Sequence, residues 1–355
     1  MNAAPAEAFP VGEYLVEELE ERGWTQAEFA EILGRPPQFV SEIISGKKEI
    51  TRESAAQIGA ALGTSAELWL NLQDAYHLWR QRQDKRTQAN LEDVRLRARL
   101  KELAPVSVLV KRGILTEPSA RGQAEQLRQI LGLRSIYDEP DFPMAARRSN
   151  HNEPVSSTQM TWLACVRRKA ETRHASTYCE AGVRMLAERL SQMLQAPAAF
   201  RELPTNFGAV GVHLVYVEAF PSSKIDGASF LLDGSPVIGL SGRGQRLDKV
   251  LFTLLHEIAH VLLGHVAEGL ILDDEGMGTP GQERAANELA AQWVLPRPLP
   301  HPPDRISRDW VMAHAGAQGV HPVVVVGRLQ NDGLLTWRSA LARDAPTATE
   351  YLQAW

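Results

Sequence analysis

The chain has 355 residues, of which 44% are hydrophobic and 23% charged, and its formal net charge is −5 at pH 7. This length allows two or three domains with buried cores. No apolar run reaches the roughly 20 residues of a membrane-spanning helix, and the first residues lack the features of a secretory signal. The two cysteines, Cys165 and Cys179, lack CxxC spacing. This excludes a cysteine zinc site and a disulfide framework, and we expect a cytoplasmic protein without membrane contact.

Helix signals in residues 1–80 predict a bundle of short helices. Thr25 and Glu28 have the spacing of a capping box at a helix start, and Gly34 ends that helix. Pro37 suits the first turn of the next helix. Two short helices separated by such a turn predict a helix–turn–helix, in which the second helix enters the DNA major groove.

The residues that would face DNA are polar or lie at the outer surface of this second helix and its flanks. They are Gln26, Gln38, Phe39, Ser41, Glu42, Lys47 and Lys48. The whole stretch, TQAEFAEILGRPPQFVSEIISGKKEITRESAAQIGAALGTSAELWLNLQDAYHLW, resembles HigA-type antitoxins of the lambda-repressor-like (XRE) superfamily. The resemblance implies the helix–turn–helix fold and an operator DNA partner, for example the protein's own promoter.

The charge of this domain is also compatible with a function other than DNA binding. Residues 10–74 hold twelve acidic and five basic side chains, a balance of −7, and the second helix carries no arginine. The domain could therefore serve a homodimer or another protein contact. A basic stretch follows and could supply phosphate contacts or be a solvated helix face. Its members are Arg80, Arg82, Lys85, Arg86, Arg95, Arg97, Arg99 and Lys101.

We predict a multidomain protein of mainly α plus α+β class. The expected divisions are a helix–turn–helix domain at 1–80, a basic helical connector at 81–140, a helical subdomain at 141–207, and a zincin-like domain at 208–355. A Pro-rich, polar segment at 137–154 suggests a linker.

Three short strand-like runs open the last domain: VGVHLVYVEAF, KIDGASFLLDG and SPVIGLSG. The pair Asp233–Gly234 predicts a hairpin between the last two. We expect a small antiparallel sheet, with ASFLLDG as the edge along which an extended peptide could add as a strand.

The stretch LFTLLHEIAHVLLGH, residues 251–265, predicts a buried helix with an HExxH motif. His256 and His260 lie four residues apart on one helix face, so both can ligate one Zn²⁺, and Glu257 can act as general base on water. Burying these groups without partners would cost several kcal/mol. A metal ion would offset that cost.

A third ligand must come from elsewhere in the chain. His265 would lie about 140° away from His260 on a continued helix, so its spacing fails. Glu283 is placed on the buried face of the helix PGQERAANELAAQWVLP, and Asn287, one turn further, could hydrogen-bond a ligand histidine. The competing carboxylates are expected in a solvated loop: Asp273, Asp274 and Glu275.

The motifs HEIAHVLLGH and ERAANELAAQWVLP together resemble the ImmA/IrrE metallopeptidases, over residues 208–337. The family's second motif usually carries Phe where this chain has Leu289. The resemblance implies zinc held by His256, His260 and Glu283, Glu257 as the catalytic base, and repressor proteins as substrates.

We therefore predict a DNA-binding regulator fused to a zinc-dependent endopeptidase that cleaves a repressor or antitoxin-like protein, in stress response, prophage control or toxin–antitoxin-type regulation. The alternative is a repressor or antitoxin that uses the zinc fold as sensor or scaffold without turnover. Glu257 favours the enzyme, because a scaffold needs the ligands but not the base. A third hypothesis is a peptidase whose helix–turn–helix only recruits a partner. The acidic first domain supports it.

Overall fold

The computed structural model describes residues 7–140, 147–148, 155–274 and 280–355. Contacts divide the chain into two units, Met1–Leu96 and Arg97–Trp355, and each has its own hydrophobic core. This division does not coincide with the expected domain boundaries, which stay predictions. The expected linker lies mostly outside the described residues, as does Glu275. Among the described residues, no helix is both long and apolar enough to cross a membrane.

The first unit is built from helices joined by short turns. They are α1 Val11–Arg22, α2 Gln26–Ile32, α3 Pro37–Ile44, α4 Arg52–Leu62, α5 Ala66–Gln83 and α6 Lys85–Leu103, which continues into the second unit.

The local signals around α2 and α3 act as expected. Thr25 Oγ1 accepts a hydrogen bond from the Glu28 backbone N–H at 3.2 Å, and Glu28 Oε2 accepts one from Thr25 N–H at 2.7 Å. Gly34 adopts a left-handed φ of 64°, which favours glycine. Pro37 begins α3, where its missing N–H is not needed. The predicted helix–turn–helix is thus present.

Helix α2 buries one face and leaves Ile32 on the other. Ile32 is 50% exposed, whereas Phe29 is fully buried. Leu33, four residues after Phe29, takes the buried position on that face of α2.

The second unit surrounds a small sheet with helices. Its α-helices are α7 Val106–Lys111, α8 Ala120–Leu131, α9 Ser157–Glu171, α10 Glu180–Met193, α11 Leu203–Ala209, α12 Leu247–Leu262, α13 Pro280–Val294, α14 Arg308–Gln318, α15 Pro322–Asn331 and α16 Thr349–Leu352. Its strands are β1 Arg147–Arg148, β2 His213–Tyr216, β3 Ile225–Leu232, β4 Ser235–Leu240 and β5 Ile271–Asp274. Short 3-10 helices occupy Pro197–Glu202, His265–Glu268 and Ala340–Ala342.

The sheet is mixed, with strand order β1-β5-β3-β4-β2. β3 and β4 form the predicted hairpin, and Asp233 and Gly234 both have positive φ, as a type I′ turn requires. The expectation of a wholly antiparallel sheet is wrong, because β2 pairs parallel to β4. The expected edge is wrong in part. β5 Ile271–Asp274 pairs with the other side of β3 at residues 225–229, and its Asp273 and Asp274 were expected in a loop. At residues 230–232, the described pairing of β3 is with β4.

Helix α12 is held between the sheet and the helices that follow it. It packs against α13, β3, β4, α10 and α15. Its apolar side chains are buried around most of the helix. The fully buried ones include Leu251, Leu254, Leu255, Ile258 and Ala259. The fold thus fixes the orientation of the motif-bearing helix inside the core of the second unit.

Candidate metal centre

Three side chains from α12 and α13 converge on one point. His256 Nε2 and His260 Nε2 lie 3.0 Å apart, as their spacing on one face of α12 predicts. Glu283 approaches from α13, with Oε2 at 3.2 Å from His256 Nε2 and Oε1 at 3.4 Å from His260 Nε2. One ligand atom from each residue lies within 4.8 Å of the other two.

This cluster is shielded from water. His256 is 3% exposed and His260 fully buried, while the Glu283 side chain is 16% exposed. Burial would raise the pKa of Glu283, but hydrogen bonds from His256 and His260 lower it to about 2. Burial lowers the pKa of His260, although Glu283 opposes this. A carboxylate and a neutral imidazole are the protonation states in which both side chains bind a metal ion.

Glu257 is fully buried beside this cluster and lies against strand β3. A Cβ atom built on Gly227 would be 2.5 Å from Glu257 Oε1 and 3.0 Å from Thr253 Cγ2. Real Cβ contacts are not this short, so a larger residue at 227 would displace the carboxylate. The absence of a side chain at Gly227 is therefore what lets Glu257 lie flat against the sheet. This role could not be found from the sequence, because it depends on how α12 packs on β3.

His265 has a different place from the one that a continued helix would give it. Helix α12 ends at Leu262, and Gly264 turns the chain with φ of 75°. The turn brings His265 Nδ1 to 2.9 Å from His260 Nδ1, on the ring edge opposite Glu283. Histidines that bind metals usually hydrogen-bond through their second ring nitrogen, which fixes the ring and its tautomer. His265 occupies the position of such a partner.

Asn287, the residue predicted to hold a ligand histidine, is exposed on α13. Successive residues of a helix are about 100° apart around its axis. On this basis, the midpoint of the buried face of α13 lies roughly 35° around the axis from Glu283. Asn287 falls at the rim of this arc, whereas Ala286 and Ala290 lie inside it and are fully buried. Asn287 is thus exposed, and its hydrogen bond to a ligand histidine stays a prediction.

The donor set fits a zinc ion. Two imidazole nitrogens and one carboxylate oxygen form the three-ligand arrangement of catalytic zinc sites, which leaves a position open for water or substrate. Thiolates, which suit soft metals, do not occur in the cluster.

Most of the predicted DNA-facing residues are exposed in the first unit. Gln26, Gln38, Ser41, Lys47 and Lys48 are exposed, while Phe39 and Glu42 are half-buried.

Two of these side chains contact the same lysine. Lys48 Nζ lies 3.5 Å from Glu42 Oε2 and 5.0 Å from the centroid of the Phe39 ring. Glu42 also accepts a hydrogen bond from Gln38 Nε2 at 3.1 Å. The surface therefore carries less free positive charge than its lysines alone suggest.

The basic stretch after this domain is partly engaged in structural contacts. Arg99 Nε donates to the Ile136 carbonyl at 3.1 Å, and Arg99 Nη2 lies 3.0 Å from a Glu139 carboxylate oxygen. Arg95 pairs with Glu92 at 3.4 Å. These two arginines therefore have partners within the chain.

Fold and site together define a helix–turn–helix domain joined to a metallopeptidase-like domain. Comparison with known families agrees with this class. Residues 15–69 match the family model described as Helix-turn-helix, and residues 210–312 match the IrrE N-terminal-like domain, a peptidase family. The chain belongs to the helix–turn–helix transcriptional regulators through its first unit, and it carries an IrrE-like peptidase-type domain in its second.

Similar curated proteins match this chain over 67–86 residues, which is 19–24% of its length. An uncharacterised HTH-type transcriptional regulator of Escherichia coli, YddM, is 34% identical over 67 residues, which cover 19% of this chain and 71% of that protein. Antitoxin HigA-1 of Vibrio cholerae is 44% identical over 70 residues, covering 19% of this chain and 66% of that protein. An uncharacterised HTH-type transcriptional regulator of Haemophilus influenzae is 36% identical over 86 residues, covering 24% of this chain and 80% of that protein.

Proposed function

We propose that this protein is a zinc-dependent endopeptidase attached to a helix–turn–helix regulator domain. The observation that carries the proposal is the convergence of His256, His260 and Glu283 within 4.8 Å, with Glu257 buried next to them. A buried cluster of two imidazoles and two carboxylates in an apolar core costs free energy unless a cation compensates it. A scaffold without turnover would need the three ligands but not the fourth residue.

His256, His260 and Glu283 would hold the zinc ion. When bound, zinc supplies a Lewis acid that makes water acidic near neutral pH and polarises a peptide carbonyl. Glu283 brings one negative charge to the site, and the apolar surroundings of α12 keep bulk water from competing for the ligands.

Glu257 would act as the general base and then as the general acid. Its carboxylate takes a proton from the attacking water and returns it to the amine of the leaving fragment. The side chain is fully buried and packs against Gly227 of β3. Burial in a packed core would reduce the entropic cost of aligning the carboxylate with the substrate.

The substrate in this proposal is a protein, a repressor or an antitoxin, and the first unit would bring the peptidase to it. The support for this is the similarity to Antitoxin HigA-1 and to HTH-type transcriptional regulators. Operator DNA would contact Gln26, Lys47 and Lys48 through phosphates and the exposed side of α3 through bases. The site of action would be the cytoplasm.

A second candidate for the first unit is recruitment of a protein. Lys48 contacts Glu42, and residues 10–74 have a charge balance of −7. Both features weaken the attraction of the first unit for DNA phosphates. The catalytic proposal for the second unit is the same in both cases.

Replacement of Glu257 by Gln tests the catalytic proposal. We expect Glu257→Gln to bind zinc like the wild type, because the three ligands remain, but to lose cleavage by at least about 100-fold, as general-base variants do. New protein N-termini would be compared by mass spectrometry in host cells that contain the wild type or the variant. N-termini that occur with the wild type only identify the substrate.

Two outcomes of this comparison would count against the proposal. Identical sets of N-termini would contradict endopeptidase activity and favour the scaffold. Loss of zinc from Glu257→Gln would show that Glu257 acts on the metal site and would leave its role as base unsupported. A matched control is Glu288→Gln, since Glu288 is exposed on α13.

A further inference from the structure

A cavity of about 370 Å³ adjoins the candidate metal centre. Lys249, Phe252 and Thr253 of α12 line it. Phe252 and Thr253 precede His256 and Glu257 by four residues each, so they lie on the same face of α12 as the site. The Phe252 ring stacks on the His256 ring, with 6.3 Å between the centroids. The cavity therefore lies next to the site, about one helical turn before it on α12.

The distance from Glu257 to this cavity suits a substrate side chain. A helix rises about 1.5 Å per residue, so the span from Lys249 to Thr253 lies roughly 5–11 Å along the axis from the His256–Glu257 pair. An extended peptide advances about 3.4 Å per residue. For a peptide running along α12, a side chain about two or three residues from the cleaved bond would reach the cavity.

Part of the cavity wall is apolar. Phe252, Val294 and Val324 line it, and both valines are buried. Trp337 stands at the mouth and is 59% exposed, although it is one of the largest apolar side chains in the chain. Such walls would bury the methylene groups of a side chain that enters.

The acidic groups of the cavity already have cationic partners. Asp248 is buried, and its carboxylate accepts hydrogen bonds from Arg246 at 2.6 and 3.0 Å. Asp226 lies 3.7 Å from Arg243 Nη1.

The lysine at the mouth of the cavity differs from these groups. Lys249 Nζ lies 5.5 Å from the centroid of the Trp337 ring. Within the part of the chain that the structure describes, Lys249 has no ion-pair partner. Arg328, the remaining cation of the wall, pairs with Asp332 at 2.9 Å. The cavity thus combines an apolar wall with one ammonium group that is available to a ligand.

We propose that this cavity is a specificity pocket for an acidic side chain of the protein substrate, a glutamate by preference. The methylene groups of the glutamate pack on Phe252 and Trp337, and its carboxylate meets Lys249. A glutamate is preferred over an aspartate because it has one more methylene group to bury against these side chains. The inference rests on the proposed peptidase activity and adds the substrate class that it acts on.

The test uses the full-length zinc-loaded chain and a library of peptides made from the host proteome with a second protease. Cleavage sites are read by mass spectrometry, with Glu257→Gln as the blank. We expect glutamate to be enriched about fivefold at one position two or three residues from the cleaved bond, a factor that suits a partly exposed charge pair. Lys249→Ala should lose this enrichment, and Lys249→Glu should replace it with an enrichment of lysine and arginine. Lys111→Glu makes the same change of charge at an exposed residue outside the cavity and should retain the wild-type preference.

Each other outcome overturns a specific statement. Cleavage with no acidic preference, or with a preference that Lys249→Glu leaves unchanged, overturns the pocket and leaves the peptidase intact. A change of preference in Lys111→Glu equal to that in Lys249→Glu overturns the pocket as well, since net charge alone would then explain it. No cleavage by the wild type beyond the blank overturns the proposed activity and this inference with it.

Discussion

Single side chains decide how firmly the ligand histidines are held. His260 has one ring nitrogen facing Glu283 and His256, and the other 2.9 Å from His265 Nδ1. The ring therefore has contacts at both edges. His256 is steadied by the stacked ring of Phe252.

Removal of His265 should weaken zinc binding without removing a ligand. We expect His265→Ala to raise the zinc dissociation constant about 10–100-fold, because loss of an outer hydrogen-bond partner has effects of that size. The measurement is competition for zinc against a chromophoric chelator. His265→Asn, whose amide can replace the ring nitrogen, should recover part of the affinity.

The exposed His301 offers a control for this change. His301→Ala should bind zinc like the wild type. Equal zinc affinity in His265→Ala and the wild type would show that His265 does not position His260. A lowered melting temperature of zinc-free His265→Ala would instead indicate a structural role.

At the scale of elements, the candidate site joins two helices that are connected by residues 263–279. α12 supplies two ligands and α13 the third, so a bound ion would link the packing of the two helices. Their contact is otherwise made by apolar groups such as Ala286 and Ala290.

Zinc should therefore stabilise the second unit. A ligand at about 1,000 times its dissociation constant adds about 4 kcal/mol to the free energy of unfolding. For a unit of this size, we expect a chelator to lower the melting temperature by roughly 10 °C in differential scanning calorimetry. Glu283→Gln, treated in the same way, should show little change with the chelator. A wild-type melting temperature that is insensitive to chelation would contradict a link between the helices.

Local signals made several elements predictable. The capping box at Thr25, the turn at Asp233–Gly234 and the HExxH helix all follow from residues within one turn of each other. The stretch from His321 carries four consecutive valines, a residue type that favours strands. It forms α15, since Pro322 occupies the first helical turn and His321 accepts a hydrogen bond from the Val323 backbone N–H.

Features that depend on distant parts of the chain were not predictable. Strand β3 is an inner strand because β5, more than 40 residues later in the chain, pairs with it. The periodicity of the sequence carries no information on such pairing. His265 was excluded as a ligand on the assumption of a continued helix, but its contact with His260 arises from the turn at Gly264. Gly227 gave no signal, because its role is to leave space for Glu257.

For the whole molecule, the proposal that the first unit directs the second is tested by DNA binding. Binding of the full chain to its own promoter region would be measured by fluorescence anisotropy over a range of salt concentrations. We expect the binding constant to fall steeply with salt, and Lys47→Ala to weaken binding and reduce the salt slope by about one. Gln195→Ala, in the second unit, is expected to leave binding unchanged. Failure to bind even at low salt would favour recruitment of a protein by this unit.

The central claim, a zinc site made by two helices, is tested most directly by the metal content of the native protein. Full-length chain purified without added metal would be analysed by inductively coupled plasma mass spectrometry, beside the double variant His256→Ala/Glu283→Gln. The account predicts about one zinc per wild-type chain and almost none in the variant. Wild-type protein without a bound metal, or a variant that retains the same amount of zinc, would contradict it.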